Sequence, residues 1–392
     1  MTLAITIVGA GPAGLYLAYL MKKSYPGYAI RVVEQNPPDA TYGFGVVLSR
    51  RALDFLAQGD AAFIGRLEKC MEGWQEQHIV HQGELVAVDG SGYCAIERLS
   101  LLHELQSLCD KSGVQLDFTR RISDPAELGD CDVLVAADGA NSVVRDAFPE
   151  AFGTTVAALQ NYFAWYGVET PYSAHTLTFV SGRGNTYCAH HYRYTPVKST
   201  IVTEVDGATW LRSGMSVMSD DERKDMMEEV FVDTLGGRKL VSNRSVWRRW
   251  HLVMNGTWHH RNIVLVGDAL RTAHPSIGSG TRLAMEDAIA LWRAFQVAGT
   301  DVSSAFKLFE QHRRPVRGNL NKAAEASIAW YESVATKMYL KPYDFAYDYL
   351  LRTGIMTPQR LAKESPDFMK RYNELKGRGQ EEPTAHTDNT AS

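Results

Sequence analysis

Ile7-Val8-Gly9-Ala10-Gly11-Pro12-Ala13-Gly14 runs from an apolar strand into an apolar helix, and an acid, Glu34, follows at the end of the next strand, twenty residues past Gly14. The spacing is that of a dinucleotide fingerprint, and each position has a physical reason. Gly9 allows the tight turn. Gly11 lets the backbone approach a pyrophosphate. Gly14 lets the helix pack closely on the strand. The helix N-terminus offers free N–H groups and a positive dipole end to phosphates. Glu34 is placed to accept hydrogen bonds from a ribose. Alone, the motif implies only a ligand with an ADP moiety, a nicotinamide cofactor included.

The flanking sequence supports a strand–helix–strand unit. Leu3 to Val8 and Ile30 to Val33 read as strands, and Leu15, Leu17, Ala18, Leu20 and Met21 fall at helical spacing between them. Asn36-Pro37-Pro38-Asp39 stops the second strand. A glycine-punctuated extended segment from Tyr42 to Val47 leads to a helix expected from about Ser49 to Leu56. Residues 63 to 95 read as strand-like. Arg98 opens a helix with Leu101, Leu102, Leu105 and Leu108 on one face, and a strand follows around Val114–Phe118. Asp132 to Ala137 reads as a buried strand ending in the turn Asp138-Gly139.

From about 155 to 255 the texture alternates. Tyr162 to Val168, Thr176 to Val180, Thr186 to His191 and Ser199 to Val205 predict an antiparallel sheet, interrupted by a helix from Ser219 to Thr234. Parallel-strand texture returns at Ile263 to Asp268. A helix follows from about Thr281 to Val297, and the rest is helical to about Lys376. The stretch from Gly377 to Ser392 has almost no apolar residues and is expected to be disordered.

Composition narrows the function. The 392 residues suffice for two interleaved domains. A net charge of −4 argues against a general nucleic-acid binder. No apolar run reaches about 18 residues, so no membrane span is expected. The first apolar stretch lacks the basic start of a signal peptide. Cys70, Cys94, Cys109, Cys131 and Cys188 form no CxxC pair, which fits reduced thiols in a cytoplasm and no metal site.

Later motifs choose the ligand. Val264-Leu265-Val266-Gly267-Asp268-Ala269 is followed by His274-Pro275 and Gly278-Ser279-Gly280. A strand ending in Gly-Asp sets a carboxylate at the carboxyl edge of the sheet, where ligands bind. Asp268 either accepts hydrogen bonds from a flavin's polyol chain or caps the segment after it. The glycine-rich turn before a helix can approach the pyrimidine end of an isoalloxazine, and the helix end would stabilise an anionic reduced ring. Asp138, in Asp138-Gly139-Ala140-Asn141-Ser142 with Arg145 beyond, either meets the cofactor or only shapes its turn. Arg98 suits ribityl or pyrophosphate oxygens, with a surface ion pair as the other reading.

The ordered set, GAGPAG, Glu34, Arg98, DGANSVVR and GDALRTAHPSIGSG, resembles the para-hydroxybenzoate hydroxylase family of single-component flavoprotein monooxygenases over roughly residues 3 to 335. Gly43 to Ser49, His274 to Thr281 and Ala329 to Val334 are similar to the salicylyl-CoA 5-hydroxylase and anthraniloyl-CoA monooxygenase branch. Arg271 departs from the family, whose Gly-Asp motif commonly runs on to a histidine. The resemblance implies an α/β fold, with a Rossmann-like FAD-binding domain (1–70, 96–154, 256–310) and an inserted antiparallel-sheet substrate domain (71–95, 155–255). C-terminal helices (311–376) and the tail (377–392) complete it.

The resemblance also implies FAD, NAD(P)H as co-substrate, O2, and hydroxylation by a flavin C4a-hydroperoxide. The cofactor-facing set is Gly9, Gly11, Ala13, Gly14, Glu34, Arg98, Asp138, Asp268, Gly278 and Gly280. His274 and Pro275 stand in the flavin-proximal loop as the candidates for chemistry. Val47, Trp165, Tyr166, His190 and Tyr192 are the candidate substrate-side residues, with sheet core as the alternative for each. His190 and His191 adjoin on a strand, so one is expected to face inward and the other outward. The expected partner is an aromatic small molecule, a salicylyl or anthraniloyl CoA thioester first, with Arg50-Arg51 or Arg248-Arg249 able to meet its phosphates. A free aromatic acid, an indole or a natural-product intermediate is the alternative, and a non-hydroxylating FAD reductase a more distant one. A monomer or homodimer is expected.

Overall fold

The computed structural model describes residues 2–41, 43–278 and 280–380. The chain opens with β1 (Ala4–Val8), α1 (Pro12–Ser24) and β2 (Ala29–Val33). Next come β3 (Gly45–Ser49), α2 (Arg50–Glu68), β4 (Glu72–Trp74), β5 (Gln77–His81), β6 (Glu84–Val88), β7 (Tyr93–Glu97) and α3 (Arg98–Ser112). β8 (Gln115–Asp117), β9 (Val133–Ala136), α4 (Val143–Asp146) and α5 (Pro149–Phe152) precede the long strands β10 (Thr154–Val168), β11 (His175–Gly182), β12 (Asn185–Arg193) and β13 (Ser199–Val205). Helices α6 (Gly207–Arg212), α7 (Asp220–Val230) and α8 (Val232–Leu235) lead to β14 (Val241–Ser242), β15 (Arg248–Asn255), β16 (His259–His260) and β17 (Ile263–Leu265). The rest is helical: α9 (Gly267–Leu270), α10 (Gly280–Ala298), α11 (Val302–Glu332), α12 (Pro342–Leu351), α13 (Pro358–Glu364) and α14 (Pro366–Gln380).

The six-stranded sheet has the order β16-β17-β9-β1-β2-β8 and is parallel from β17 to β8. Its central strands read as near-continuous apolar runs because both faces are covered. α1 is buried from Pro12 to Met21 and lies between the sheet, α3 and α10. That is why its sequence is apolar nearly all round rather than striped. Pro12 sits at the helix start, where its missing N–H costs nothing. A Cβ on Gly14 would stand 2.1 Å from the Gly9 carbonyl oxygen, so the crossing of α1 over β1 requires a glycine.

The second sheet runs β14-β10-β13-β12-β11-β5-β6, with β15 on β10. It is antiparallel except for β11 and β5, which pair in parallel, so the expectation of a wholly antiparallel sheet needs this correction. One part of the sheet packs on α6–α8 through Trp210, Met227 and Phe231. Another packs on α11 and α12 through Trp330, Tyr331 and Phe345. A small sheet, β3-β7-β4, joins the two bodies.

Four further sequence expectations shift. α2 runs on to Glu68, so residues 63–68 are helical rather than strand-like. The break lies at Asp60 (φ −152°, ψ 100°). Its carboxylate accepts from the Phe63 N–H at 3.0 Å and so caps a second helical stretch. Tyr19 and Lys23 hold the same buried carboxylate. The helix expected from Ser219 to Thr234 is interrupted at Phe231. α14 continues to Gln380, four residues into the stretch expected to be disordered, and 381–392 lie outside the described residues. The expected boundary at 310 falls inside α11.

Gly14→Ala is expected to cost about 1–3 kcal/mol of stability through overpacking against the Gly9 carbonyl. Urea unfolding of the purified variant checks this, and an unchanged midpoint would contradict the close approach.

Candidate active site

The glycine turn is built before any ligand is considered. Gly9 has φ 102°, and a Cβ there would meet the Ala137 carbonyl oxygen at 2.4 Å. Gly11 differs: nothing lies within 4 Å of a Cβ placed on it. The space above Gly11 belongs to a cavity of about 290 Å³ whose walls include Gly9, Gly11, Glu34, Arg98 and Asp138. Five of the expected cofactor residues therefore converge there. Gly14 lies beneath, as a packing residue. Ala13 faces the other way along the helix start, where a Cβ on Gly267 would come within 3.3 Å of it.

Glu34 holds the turn. One carboxylate oxygen accepts from Ala10 N at 2.8 Å, and the other from Asn36 N and Nδ2, each at 2.8 Å. Asp138 Oδ2 accepts from Val144 N at 3.3 Å in the first turn of α4, which Ser142 caps, while its buried Oδ1 has no partner among the described residues. It thus shapes its turn and keeps one oxygen free. Arg98 presents a buried Nε with no partner among the described residues. Burial lowers its pKa against the pull of the Asp268 charge. Asp268 does not cap α9, which has Val266 at its cap position and no side-chain cap bond. Burial pushes its carboxyl up, while Arg317 and Arg98 pull it down. Arg145, 2% exposed, secures the neighbouring loop by donating to the Ala140 carbonyl at 2.8 Å.

The loop after α9 is organised by His274. It caps a 3₁₀ turn, Pro275–Ile277, with Nδ1 accepting from Ser276 N at 3.2 Å and lying 2.7 Å from Ser276 Oγ. Burial lowers its pKa to about 4. Gly278 takes φ 56°, and Gly280 opens α10. Ser279 lies outside the described residues. A Cβ on Gly278 would stand 3.9 Å from Val47 Cγ1, which places Val47 against this loop. Arg352, at the end of α12, donates to the Ser276 carbonyl at 3.0 Å and to Ser327 Oγ at 3.1 Å. Ser327 Oγ in turn lies 2.9 Å from Ser276 Oγ. Arg271, half-buried, turns to Glu325 of α11 at 3.9 Å.

Alternation along β10 and β12 sorts the substrate-side candidates. Trp165 lies on the face with Phe163, whose ring meets His274 edge-on at 5.3 Å. Trp250 joins them, 6.0 Å from Trp165 and 6.4 Å from His274. His190 and Tyr192 share that side of the sheet, and Tyr192 Oη donates to the Gly45 carbonyl at 3.0 Å. Tyr166 does not reach it. Its side chain points to the opposite face, where its hydroxyl accepts from Trp247 Nε1 at 3.0 Å. His191 also faces away but is not outward in the sense expected. It is 3% exposed and lies 2.9 Å from Thr178 Oγ1, because α6–α8 cover that side. Sequence reading missed Phe163, Trp250, Glu204 and Arg352. Glu204 carried a signal, being the one charged residue in the strand Ser199–Val205.

A Rossmann-like sheet with an unpaired buried guanidinium, a free buried carboxylate oxygen and an open glycine turn defines a dinucleotide-dependent oxidoreductase, and these donors and acceptors fit FAD. Residues 94–324 match the family described as FAD binding domain, and 7–38 match an NAD(P)-binding Rossmann-like domain. The chain belongs to this FAD-binding family and is an FAD-dependent monooxygenase that uses NAD(P)H. It is 37% identical to salicyloyl-CoA 5-hydroxylase from a Streptomyces species, over 89% of this chain and 69% of that one. It is 34% identical to 3-hydroxy-4-methyl-anthranilyl-[aryl-carrier protein] 5-monooxygenase of Streptosporangium sibiricum, over 83% of this chain and 88% of that one. The tetrameric form of 2-methyl-3-hydroxypyridine-5-carboxylic acid oxygenase shares the fold, with TM-score 0.70 at 18% identity over 94% of this chain and 98% of that one. No helix among the described residues is long and apolar enough to cross a membrane.

Gly11→Val is expected to leave the apoprotein's melting temperature unchanged, since the space is free, and to abolish FAD loading. Flavin absorbance per chain measures this, and normal occupancy would contradict the phosphate-loop assignment.

A pH dependence follows from the histidines. Burial holds His175, His190 and His191 near 3 and His274 near 4, below the ordinary 6.5. The unfolded chain then binds more protons below 6.5 than the folded one. Stability is full above that value and falls as pH drops from it toward 4. Urea midpoints between neutral and mildly acid pH should decline accordingly, and a flat profile would refute the buried neutral state.

Proposed function

We propose that this monooxygenase hydroxylates an activated hydroxy- or amino-aryl substrate carried as a thioester, such as salicyloyl-CoA or anthraniloyl-CoA, at the 5-position. The observation that carries the reading is the aromatic wall of Phe163, Trp165 and Trp250 set against His274 and the glycine-rich turn. Two relatives named for aryl groups borne on coenzyme A or a carrier protein support it.

Bound FAD supplies dioxygen activation with electrons from NAD(P)H. The protein's share is placement and shielding. Gly9 to Gly11 and the start of α1 would hold the pyrophosphate. The free Nε of Arg98 and Oδ1 of Asp138 would meet cofactor oxygens and hydroxyls, and Asp268 would meet the polyol. The His274–Ser276 cap, clamped by Arg352, fixes the turn beside the ring. The aromatic wall excludes water from the reacting face. Arg248 is exposed and lies 5.7 Å over the Trp165 ring, where its charge can meet a thioester's phosphates. Arg249 is engaged by the Leu159 and Ala158 carbonyls, and Arg50 by Glu68.

The FAD-loaded enzyme is expected to oxidise NADH or NADPH slowly alone and at least about tenfold faster with salicyloyl-CoA or anthraniloyl-CoA, releasing a product heavier by one oxygen. Mass spectrometry of the products decides. Stimulation by free salicylate or indole instead would replace the thioester reading.

A further inference from the structure

The aromatic face holds a buried polar cluster that neither cofactor binding nor the loop cap uses. Its centre is Glu204 on β13, opposite Phe163 of β10 and Cys188 of β12. Glu204 is 3% exposed. Its Oε1 accepts from Asn161 Nδ2 at 2.6 Å. Its Oε2 has no hydrogen-bond partner among the described residues, and neither have Asn161 Oδ1 and Trp250 Nε1. His190 Nε2 stands 3.8 Å from Oε2, too far for a hydrogen bond. Buried polar atoms left unpaired are costly and rare. Three of them along one aromatic wall are the mark of a site made for a polar ligand.

We propose that Glu204 is a catalytic acid–base residue of the hydroxylation site, its free Oε2 accepting first the hydrogen bond and then the proton of a ring hydroxyl on the substrate. The proposal rests on the aromatic-hydroxylase reading above. The step is a proton transfer alone. The substrate O–H bond breaks, its electron pair stays on the phenolate oxygen, and the proton bonds to the carboxylate, which becomes a neutral acid. The phenolate makes the ring more electron-rich where oxygen is inserted.

The groups facing Glu204 favour this. His190 and Cys188 lie on β12, His274 before the 3₁₀ turn, Tyr331 and Glu332 on α11, and Asp206 ahead of α6. Burial lifts its pKa to about 7, with His274 and the Asn161 bond opposing and Glu332 and Asp206 adding. A base with that value works near neutral pH. Burial lowers the pKa of His190, and its Nε2 stands too far from Oε2 to hold the carboxylate.

The test compares FAD-loaded wild type, Glu204→Gln and Glu204→Asp on salicyloyl-CoA and on benzoyl-CoA, which lacks the ring hydroxyl. Tryptophan fluorescence reads binding, flavin absorbance reads loading, and product analysis reads kcat. The wild-type kcat is expected to rise with pH through a step near 7. Glu204→Gln should keep FAD, lose the step and lose about 10²-fold in kcat, with Glu204→Asp restoring part of both. Wild type should prefer the hydroxylated thioester, and Glu204→Gln should prefer it less. A Glu204→Gln enzyme with wild-type kcat, pH profile and preference overturns the role of Glu204 and leaves the hydroxylase reading standing. If that variant loses its flavin, wild type decides: equal affinity for the two thioesters, or a kcat without the step, overturns the role. A wild type that binds neither thioester overturns both readings.

Discussion

Asp287 is wholly buried and faces two arginines, and most of the site hangs on it. Arg313 Nε donates to it at 2.8 Å, Arg317 pairs with its other oxygen, and that oxygen also accepts from Gly267 N at 3.1 Å. Burial alone would raise its pKa, but the two guanidiniums outweigh that and hold it below the usual carboxylate range. Burying these ions costs several kcal/mol each, and removing one partner of such a set typically costs about 3–5 kcal/mol. What the pairing contributes is position. It ties α10 and α11 to the Gly-Asp turn, and Asp268 is the next residue along. α10 also packs on α1, so the helix over the glycine turn takes its place from the same node.

Several residues that resemble ligand contacts act first on the backbone. Glu34 closes the turn through Ala10 and Asn36. His274 caps the 3₁₀ turn, and Asp138 accepts from the first turn of α4. Each is held by hydrogen bonds within the protein itself. Such preorganisation is how a site gains affinity without added contacts. Arg98 Nε, Asp138 Oδ1 and Glu204 Oε2 are among the buried polar atoms that stay free.

Much of this was legible in the sequence because the parallel sheet and its turns obey local rules. The GxGxxG spacing, the apolar run of β9 and the Gly-Asp step each specify backbone geometry within a few residues. The α2 restart at Asp60 was not legible, because an acid that caps a helix from inside a longer one looks like a break. Tyr166 was misplaced because alternation gives two faces without naming which one the helices α6–α8 cover. The parallel pairing of β5 with β11 joins residues about a hundred positions apart and leaves no local trace. Arg352 was invisible for the same reason: its partners, Ser276 and Ser327, come from two other elements.

The clamp by Arg352 has a consequence for biosynthesis. The walls of the 290 Å³ cavity all come from residues 8 to 143, whereas the turn Pro275–Ile277 is fastened by a side chain 209 positions further on. A ribosome extends the chain from its N-terminus, so the walls of the cavity emerge long before the side chain that fastens the turn exists. Nascent protein therefore passes through a stage in which every wall residue of the cavity has been made and the 275–277 turn still lacks its clamp.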